Sequence, residues 1–297
     1  MMSAAMAHPH TFVVSRRKRF YACVPLFLDV DAAYDGRSLS FEGRPSMSAG
    51  LKDKVAIITG ATSGIGRAAA LLFAKAGMKV ITAGTRDAAG ARLVAEIKTE
   101  GGDAHFVQTD VSDATQVERL VRRAEEVYGG VDFAFNNAGI EGEFGPLTEL
   151  GEAGWEQVMN VNLKGVWLNM KYQLPAITRR GGGAIVNTST NLVSLGIPNT
   201  GIYTASKAAV DALTRVAAME AGAQGVRVNA VSPGNVETPM TARLFNDATV
   251  AGIRAANPLR KIATVDDVAQ AALWLLSPAS GHITGQTLNI DGGLTLM

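Results

Sequence analysis

Residues 55–75 read VAIITGATSGIGRAAALLFAK, and this stretch decides the fold. Its first five residues form a continuous apolar run of the length of a buried strand, and its last ten have the apolar spacing of a helix. The turn between them holds Gly60, Gly64 and Gly66, which permit a tight bend and a close approach of the backbone to a phosphate group. The start of the helix adds free N–H groups and the positive end of its dipole. A glycine-rich turn can be no more than a turn, but a strand before it and a helix after it favour a dinucleotide site.

Outward from this stretch, short apolar runs alternate with helical patterns as far as the end of the chain. Strands are predicted at 55–59, 79–83, 104–109, 131–136, 184–189, 226–232 and 287–291. Helices are predicted at 65–76, 87–100, 113–128, within 155–179, and at 203–221 and 265–276. Strands joined by helices of this length give right-handed crossovers and a parallel sheet covered on both faces. We therefore predict an α/β fold, a doubly wound parallel sheet of about seven strands, in one domain from residue 47 to residue 297.

Two segments depart from this rhythm. Residues 235–258 lie between a strand and a helix, and an insertion of that length usually covers a site. Residues 1–46 show no periodicity, although a basic cluster at 16–19 precedes a mildly apolar run. A signal peptide is disfavoured because Asp29 and Asp31 interrupt that run, and four basic residues are weak evidence for a nuclear or anionic partner. We expect residues 1–46 to be disordered or to be translated from a start codon upstream of the true one, with Met47 opening the domain.

Composition narrows the class of protein. The net charge of +1 gives no reason to expect nucleic acid or an anionic membrane as a partner. No apolar run approaches the ~20 residues of a membrane helix. Cys23 is the only cysteine, which excludes an intrachain disulfide and suits a reducing compartment, so we expect a cytoplasmic protein. The four histidines match no metal-binding spacing, so no metal is expected.

Several motifs together resemble the short-chain dehydrogenase/reductase family. They are, in chain order, T-G-x-x-x-G-I-G at 59–66, N-N-A-G at 136–139, Asn162 in VNLKGV, Y-x-x-x-K at 203–207 and P-G at 233–234. The resemblance covers residues 52–297. It implies a Rossmann-type fold, a nicotinamide cofactor and hydride transfer between that cofactor and a carbonyl or alcohol carbon of a small molecule.

The resemblance also assigns the cofactor-binding residues. They are Gly60, Thr62, Ser63, Gly64, Ile65, Gly66, Thr85, Arg86, Asp110, Val111, Asn137, Ala138, Gly139, Tyr203, Lys207, Pro233, Gly234, Val236 and Thr238. Among them, Thr238 is expected to hold the nicotinamide carboxamide. Asp110 flanks the adenine in the family, although it could also cap the next helix.

The choice of cofactor is made where the second strand ends, because an acid there accepts hydrogen bonds from the ribose of NAD. The aligned residue is Gly84, so no acid repels a 2′-phosphate, and Arg86 can pair with one. Arg86 could instead simply begin a solvated helix. We expect NADP(H) to be favoured over NAD(H).

Tyr203 and Lys207 are the predicted catalytic pair, since a spacing of four residues places them on one face of a helix. By resemblance, Tyr203 is the general acid that protonates the forming alkoxide. A neighbouring ammonium favours the phenolate, so Lys207 is expected to lower the tyrosine pKa from its usual value of ~10, besides binding the ribose. Asn162 is expected to hold a water of a proton relay. An isolated Y-x-x-x-K could be an exposed helix pair, but the other motifs argue against that reading.

One catalytic position departs from the family. The usual serine lies thirteen residues before the tyrosine, and here that residue is Thr190. Threonine keeps the hydroxyl that would orient the substrate but adds a methyl group and a stiffer side chain. Ser189 is adjacent, yet successive strand residues point to opposite faces. We therefore predict Thr190 in the site and Ser189 facing the core.

Three functions remain open on the same fold. The leading one is a carbonyl reductase or alcohol dehydrogenase of the EC 1.1.1 type. The second is a 3-oxoacyl-carrier reductase, for which Arg254, Arg260 and Lys261 could form a docking patch or could be ordinary solvated charges. The third is a catalytically weak NADP-binding regulator, and Thr190 is the one feature in its favour. The sequence does not identify the substrate.

The resemblance implies a homotetramer that pairs the long helices after the fourth and fifth strands. The second of these helices carries small residues that would allow close helix contact, namely Ala205, Ala208, Ala209 and Ala212.

Overall fold

A computed structural model of the chain describes residues 50–242 and 246–296. The prediction for residues 1–46 therefore lies outside the described residues. Within them, seven parallel strands form one sheet in the order β3-β2-β1-β4-β5-β6-β7. The strands are β1 (Val55–Thr59), β2 (Lys79–Gly84), β3 (Asp103–Gln108), β4 (Phe133–Asn136), β5 (Gly183–Thr188), β6 (Val226–Pro233) and β7 (Thr287–Ile290). The predicted doubly wound α/β fold is confirmed.

Helices cover both faces of this sheet. They are α1 (Gly64–Lys75), α2 (Asp87–Thr99), α3 (Ala114–Tyr128), α4 (Glu152–Met159), α5 (Gly165–Arg179), α6 (Leu192–Leu195), α7 (Gly201–Ala221), α8 (Asp247–Ala256) and α9 (Val265–Leu276). The alternation of side chains along β1 shows how the two cores are divided. Ala56 and Ile58 pack with α1 and α9, whereas Val55 and Ile57 pack with α3, α5 and α7.

Three local features differ from the sequence prediction. The helix predicted within residues 155–179 begins earlier, at Glu152, and a π-helical turn over Asn160–Lys164 divides it into α4 and α5. Single-sequence periodicity does not reveal such a distortion. The short α6 was not predicted. Residues 235–258, predicted only as an insertion, contain α8.

The strand order reverses beside β1, because β2 lies on one side of it and β4 on the other. The loops that follow these strands diverge there and leave a crevice at the carboxyl ends, where open α/β sheets bind ligands. None of the helices within the described ranges is long and apolar enough to cross a membrane.

Candidate active site

A cleft of about 700 Å³ opens at the carboxyl ends of the central strands. All of the predicted site residues line it except Gly66 and Asn162, which support its walls from behind. The fold therefore brings together motifs that lie up to 178 positions apart in the chain, from Gly60 to Thr238.

The glycine-rich turn forms one end of the cleft. Gly60 and Gly64 have φ values of +64° and +53°, in the left-handed region that favours glycine. A Cβ at Gly66 would collide with the carbonyl oxygen of Gly60, so this glycine lets α1 pack against the turn. Ser63, at the N-cap of α1, makes no side-chain cap hydrogen bond. The first turn of α1 thus keeps N–H groups for a ligand, and this fits the pyrophosphate of a dinucleotide.

The N-N-A-G turn is attached directly to this end of the cleft. Thr59 Oγ1 accepts hydrogen bonds from the backbone N–H groups of Asn137 and Ala138, each at 3.1 Å. The Asn137 amide donates in return to the Thr59 carbonyl at 3.2 Å. These contacts join the loops after β1 and β4, which form opposite walls of the crevice.

Arg86 lies across the glycine-rich turn. Its Nη2 donates to Thr62 Oγ1 at 2.9 Å and to Ser63 Oγ at 2.7 Å, although the side chain is exposed. A Cβ at Gly84 would lie 3.1 Å from the Thr62 side chain, so a larger residue would be crowded there. A guanidinium beside a phosphate-binding turn suits a second phosphate on the ribose.

Asp110 also lines the cleft, and it does not cap the next helix, which was the alternative role considered for it. Its carboxylate accepts from the backbone and the hydroxyl of Ser112 at 2.9 Å and 2.7 Å. The N-cap of α3 is Asp113, whose side chain accepts from the N–H groups of Thr115 and Gln116. Asp110 closes the turn before the helix and does not cap it.

Lys207 lies deep in the opposite end of the cleft. Its side chain is 2% exposed, and Nζ donates to the Thr188 carbonyl at 2.7 Å and lies 5.9 Å from the centroid of the Tyr203 ring. Burial lowers the pKa of Lys207 to about 8, and the charge of Asp211 opposes that change. The ammonium is therefore the main form at neutral pH.

The pKa of Tyr203 is raised to about 12, first by burial and then by the charge of Glu141, while a hydrogen bond with Thr190 opposes the rise. The sequence predicted a lowering by Lys207, and the net direction is the reverse. The reason is that burial and a nearby carboxylate both disfavour the phenolate. At neutral pH the hydroxyl keeps its proton and can donate it to a developing alkoxide.

Thr190 is 8% exposed and lines the cleft, as predicted. Ser189 borders the cleft too, but its side chain is 2% exposed and its hydroxyl is buried beside Asp211 of α7, which agrees with the prediction that it faces the core. Asn191 follows, and its buried side-chain nitrogen has no hydrogen-bond partner among the described residues.

Asn162 acts as a clamp behind the cleft. It lies in the π-helical turn and is fully buried. Its Oδ1 accepts from the Ile140 N–H at 2.8 Å, and its Nδ2 donates to the Ile140 carbonyl at 2.9 Å and to Ser206 Oγ at 3.2 Å. Because both amide hydrogens are used by protein groups, a water could be held only through an oxygen of this residue.

Several lining residues were not predicted. The apolar residues among them are Phe144, Leu192, Leu195, Ile197 and Met240, and Glu141 adds a carboxylate. They lie in loops or in the short α6, where no periodicity marks them. For Glu141, the position two residues after the N-N-A-G motif could have been a signal. Among the described residues, no cluster of His, Cys, Asp and Glu is arranged to hold a metal ion.

Comparison with known proteins agrees with this geometry. Residues 60–295 match the family described as enoyl-(acyl carrier protein) reductase. The chain is 38% identical over 249 residues to a cyclohexanol dehydrogenase of Acinetobacter sp. (strain SE19), covering 84% of this chain and 98% of that protein. It is 38% identical over 246 residues to the 3-oxoacyl-[acyl-carrier-protein] reductase of Thermotoga maritima, covering 83% and 99%. Among solved structures, a short-chain type dehydrogenase/reductase from Mycobacterium ulcerans superposes with a TM-score of 0.80 at 31% identity, covering 82% and 90%.

Proposed function

The chain belongs to the short-chain dehydrogenase/reductase family, and we propose that it interconverts an alicyclic secondary alcohol and its ketone with NADP(H). The family establishes the coarser class, an NAD(P)-dependent oxidoreductase acting on a small alcohol or carbonyl compound. The observation that carries the proposal is the meeting of Tyr203, Thr190 and Lys207 at one end of the cleft that holds the glycine-rich turn.

The residues present fit the dinucleotide. The pyrophosphate would lie on the turn from Gly60 to Gly66, the adenosine beside Asp110 and Val111, and the nicotinamide between Gly139, Pro233 and Thr238. Bound there, the cofactor supplies or accepts the hydride.

Three side chains of this chain would carry the rest of the reaction. During reduction, negative charge develops on the carbonyl oxygen and must be met by a hydrogen-bond donor. Tyr203 can donate a hydrogen bond and then give up its proton, whereas Thr190 can only donate and therefore orients the carbonyl. Lys207 acts through its charge and through the ribose. In the direction of oxidation the same tyrosine must start as the phenolate to accept a proton, and its raised pKa keeps that form scarce until the pH rises.

The exposed apolar side chains that line the cleft support an alicyclic substrate. Phe144, Ile197 and Met240 are 41%, 45% and 40% exposed, so their burial by an apolar ligand would be favourable. The similar cyclohexanol dehydrogenase acts on a six-membered ring that matches this chemistry. A panel of cyclohexanol, cyclohexanone, linear alcohols and an acetoacetyl thioester, followed by NADPH absorbance, tests the proposal. Turnover of cyclohexanol or cyclohexanone supports it, whereas turnover of the thioester alone would overturn it.

A 3-oxoacyl-carrier reductase is the second candidate. The matching family description and the Thermotoga maritima relative favour it. Arg254, Arg260 and Lys261 are all exposed on or just after α8, where they could contact an acidic carrier. Tight NADPH binding without turnover of any compound in the panel would instead favour a third function, that of a catalytically weak NADP-binding regulator.

Replacing Arg86 by alanine is expected to weaken NADPH binding by about 10–100-fold, the loss of a charged hydrogen bond worth about 1.5–3 kcal/mol. NADH binding should change little, because NADH lacks the 2′-phosphate. Fluorescence titration of both cofactors measures the effect, and Arg92→Ala, an exposed arginine of α2, is the control. Equal weakening of both cofactors, or a wild-type preference for NADH, would contradict the proposed specificity.

Thr190→Ala is expected to lower turnover by about 10–100-fold, because the developing alkoxide loses one hydrogen-bond donor. Thr190→Ser should retain or raise turnover, since it keeps the hydroxyl and removes only the methyl group. Steady-state kinetics of the two variants with the same ketone compare these effects. If alanine and serine behaved alike, the threonine hydroxyl would have no part in orienting the substrate.

We propose that residues 47–297 are the catalytic unit. The match to cyclohexanol dehydrogenase covers 98% of that protein but only 84% of this chain, and the described residues that line the cleft run from Gly60 to Leu294. A chain that begins at Met47 should keep full activity, and loss of cofactor binding or of soluble expression would contradict this.

We also propose that the protein is cytoplasmic, since a single cysteine suits a reducing compartment.

We also propose a homotetramer with two-fold symmetric interfaces. On α7, Ala205 and Ala212 are exposed, and Val216 and Met219 continue that face at 52% and 85% exposure. Trp167 on α5 is 46% exposed as well. Apolar exposure of this extent on two adjacent helices is typical of an interface. Light scattering at working concentration measures the molar mass of the protein in solution, and a monomeric mass would exclude the proposed homotetramer.

A further inference from the structure

A continuous chain of hydrogen-bonded side-chain amides, here called the amide chain, joins α5, β4, β5 and α7. Asn136 and Asn187 are neighbours in the register of β4 and β5, and Asn136 Nδ2 donates to Asn187 Oδ1 at 3.0 Å. Gln173 of α5 and Asn136 exchange two hydrogen bonds, of 3.0 Å and 2.9 Å. Gln173 Nε2 also donates to Asn169 Oδ1 at 3.1 Å. At the other end, Asn187 Nδ2 donates to Thr214 Oγ1 at 2.9 Å, so that the amide chain reaches α7.

Burial makes the amide chain demanding in its geometry. Each of its five side chains is at most 1% exposed. Gln173 and Asn136 each use both amide hydrogens and the amide oxygen within the chain. A buried amide that loses a partner finds no water in its place, so the full cost of the missing hydrogen bond is felt. A buried polar network that is fully satisfied in this way fixes one arrangement of the elements it joins.

The far end of the amide chain supports Lys207. Thr188 follows Asn187 in β5, and its carbonyl accepts the 2.7 Å hydrogen bond from Lys207 Nζ. Thr214 lies about two turns after Lys207 on the same face of α7. The hydrogen bond between Asn187 and Thr214 therefore fastens α7 to β5 close to the point where the lysine reaches the strand. The loops at the pyrophosphate end of the cleft are joined separately, through Thr59.

We propose that Gln173 is a positioning residue, which acts through the amide chain to hold the Thr188–Lys207 contact in place for the nicotinamide ribose. The inference rests on the proposed function, because it uses the proposed contact between the lysine and the ribose, and it extends the cofactor site to a buried residue of α5. A binding group keeps its geometry only when the residues behind it are fixed. Loosening the amide chain should therefore weaken the hold on the ribose and leave the adenosine end unchanged.

Gln173→Met tests the proposal with two ligands and without any turnover. Methionine fills nearly the same space but removes all three hydrogen bonds of the glutamine. ADP carries the adenosine and pyrophosphate of the cofactor and lacks the nicotinamide ribose. NADPH should bind about tenfold more weakly to the variant than to wild type, whereas ADP should bind equally to both. Calorimetry measures both ligands, and Gln270→Met, at an exposed glutamine of α9, is the matched control.

Gln173→Glu should show the same loss only when the new carboxyl is ionised. A protonated carboxyl keeps one donor for Asn136 Oδ1, whereas a carboxylate sets acceptor against acceptor there. Rotating the Asn136 amide only moves that conflict to Asn187 Oδ1. Burial raises the pKa of this carboxyl above its usual value of ~4.3, so the ionised form appears as the pH rises. The NADPH affinity relative to wild type should therefore fall between about pH 5 and about pH 9, and the ADP affinity should not.

Circular dichroism at each pH shows whether the variants are folded, and Gln173→Glu decides the question if Gln173→Met does not fold. Unchanged NADPH affinity in the folded variant would overturn the proposal. An equal loss of NADPH and ADP would overturn it as well, since that pattern indicates general damage to the fold, and so would the same loss in Gln270→Met. Failure of the proposed function is separate, because it would appear as absent turnover of cyclohexanol and cyclohexanone whatever the binding results.

Discussion

Tyr203→Phe is expected to lower turnover by about 10²–10⁴-fold, the usual contribution of general acid catalysis, while NADPH binding stays intact. The Tyr203 hydroxyl can both donate a hydrogen bond and release a proton. Its pKa of about 12 keeps it protonated at neutral pH, so the wild-type enzyme has the acid form available for reduction. Phenylalanine preserves the ring and its packing but removes the proton. Single-turnover kinetics of ketone reduction and a separate NADPH titration distinguish the two effects.

The matched control is Tyr172→Phe, which removes a hydroxyl from a tyrosine that packs against the hydrophobic core. That variant should keep wild-type turnover. Near-native turnover of Tyr203→Phe with any good substrate would show that the assigned chemistry is wrong. A parallel loss of NADPH affinity would show that the tyrosine has a larger part in binding than in proton transfer.

Lys207→Met is expected to damage catalysis and cofactor binding together. Methionine fills nearly the same space but removes the ammonium, whose hydrogen bond to the buried Thr188 carbonyl is 2.7 Å long. The proposed hydrogen bond from this ammonium to the cofactor ribose is one to a charged group, worth about 1.5–3 kcal/mol, so its loss should weaken cofactor binding by about 10–100-fold. Turnover should fall further, since the tyrosine then lacks a neighbouring positive charge. NADPH titration and steady-state kinetics measure the two losses.

Lys171→Met on α5 is the control, because Lys171 is exposed on the surface. Thermal unfolding of each variant checks that the buried substitution leaves the fold intact. If Lys207→Met bound NADPH as tightly as wild type, the proposed contact with the ribose would be excluded. If it bound weakly but turned over normally at saturating cofactor, the lysine would serve binding alone.

Local sequence determined the architecture. The apolar runs and helical patterns marked all seven strands, because buried parallel strands and amphipathic helices have different periodicities over short windows. The first strand and α9 were placed at their observed bounds. The glycine-rich turn was equally readable, since Gly60 and Gly64 adopt left-handed conformations that other residues avoid. Of the site residues that the motifs predicted, all but Gly66 and Asn162 line the cleft.

The tertiary structure alone decided the electrostatics and the substrate end. The direction of the Tyr203 pKa depends on burial and on Glu141, which lies 62 positions earlier in the chain and meets the tyrosine only after folding. Asn162, which lies in the π-helical turn, holds the Ile140 backbone through hydrogen bonds that only folding brings together. These properties arise from through-space distances and from exclusion of water. A local sequence pattern contains no information on distance or on exclusion of water. It therefore predicted which residues would lie at the site but not how they shift one another's pKa values.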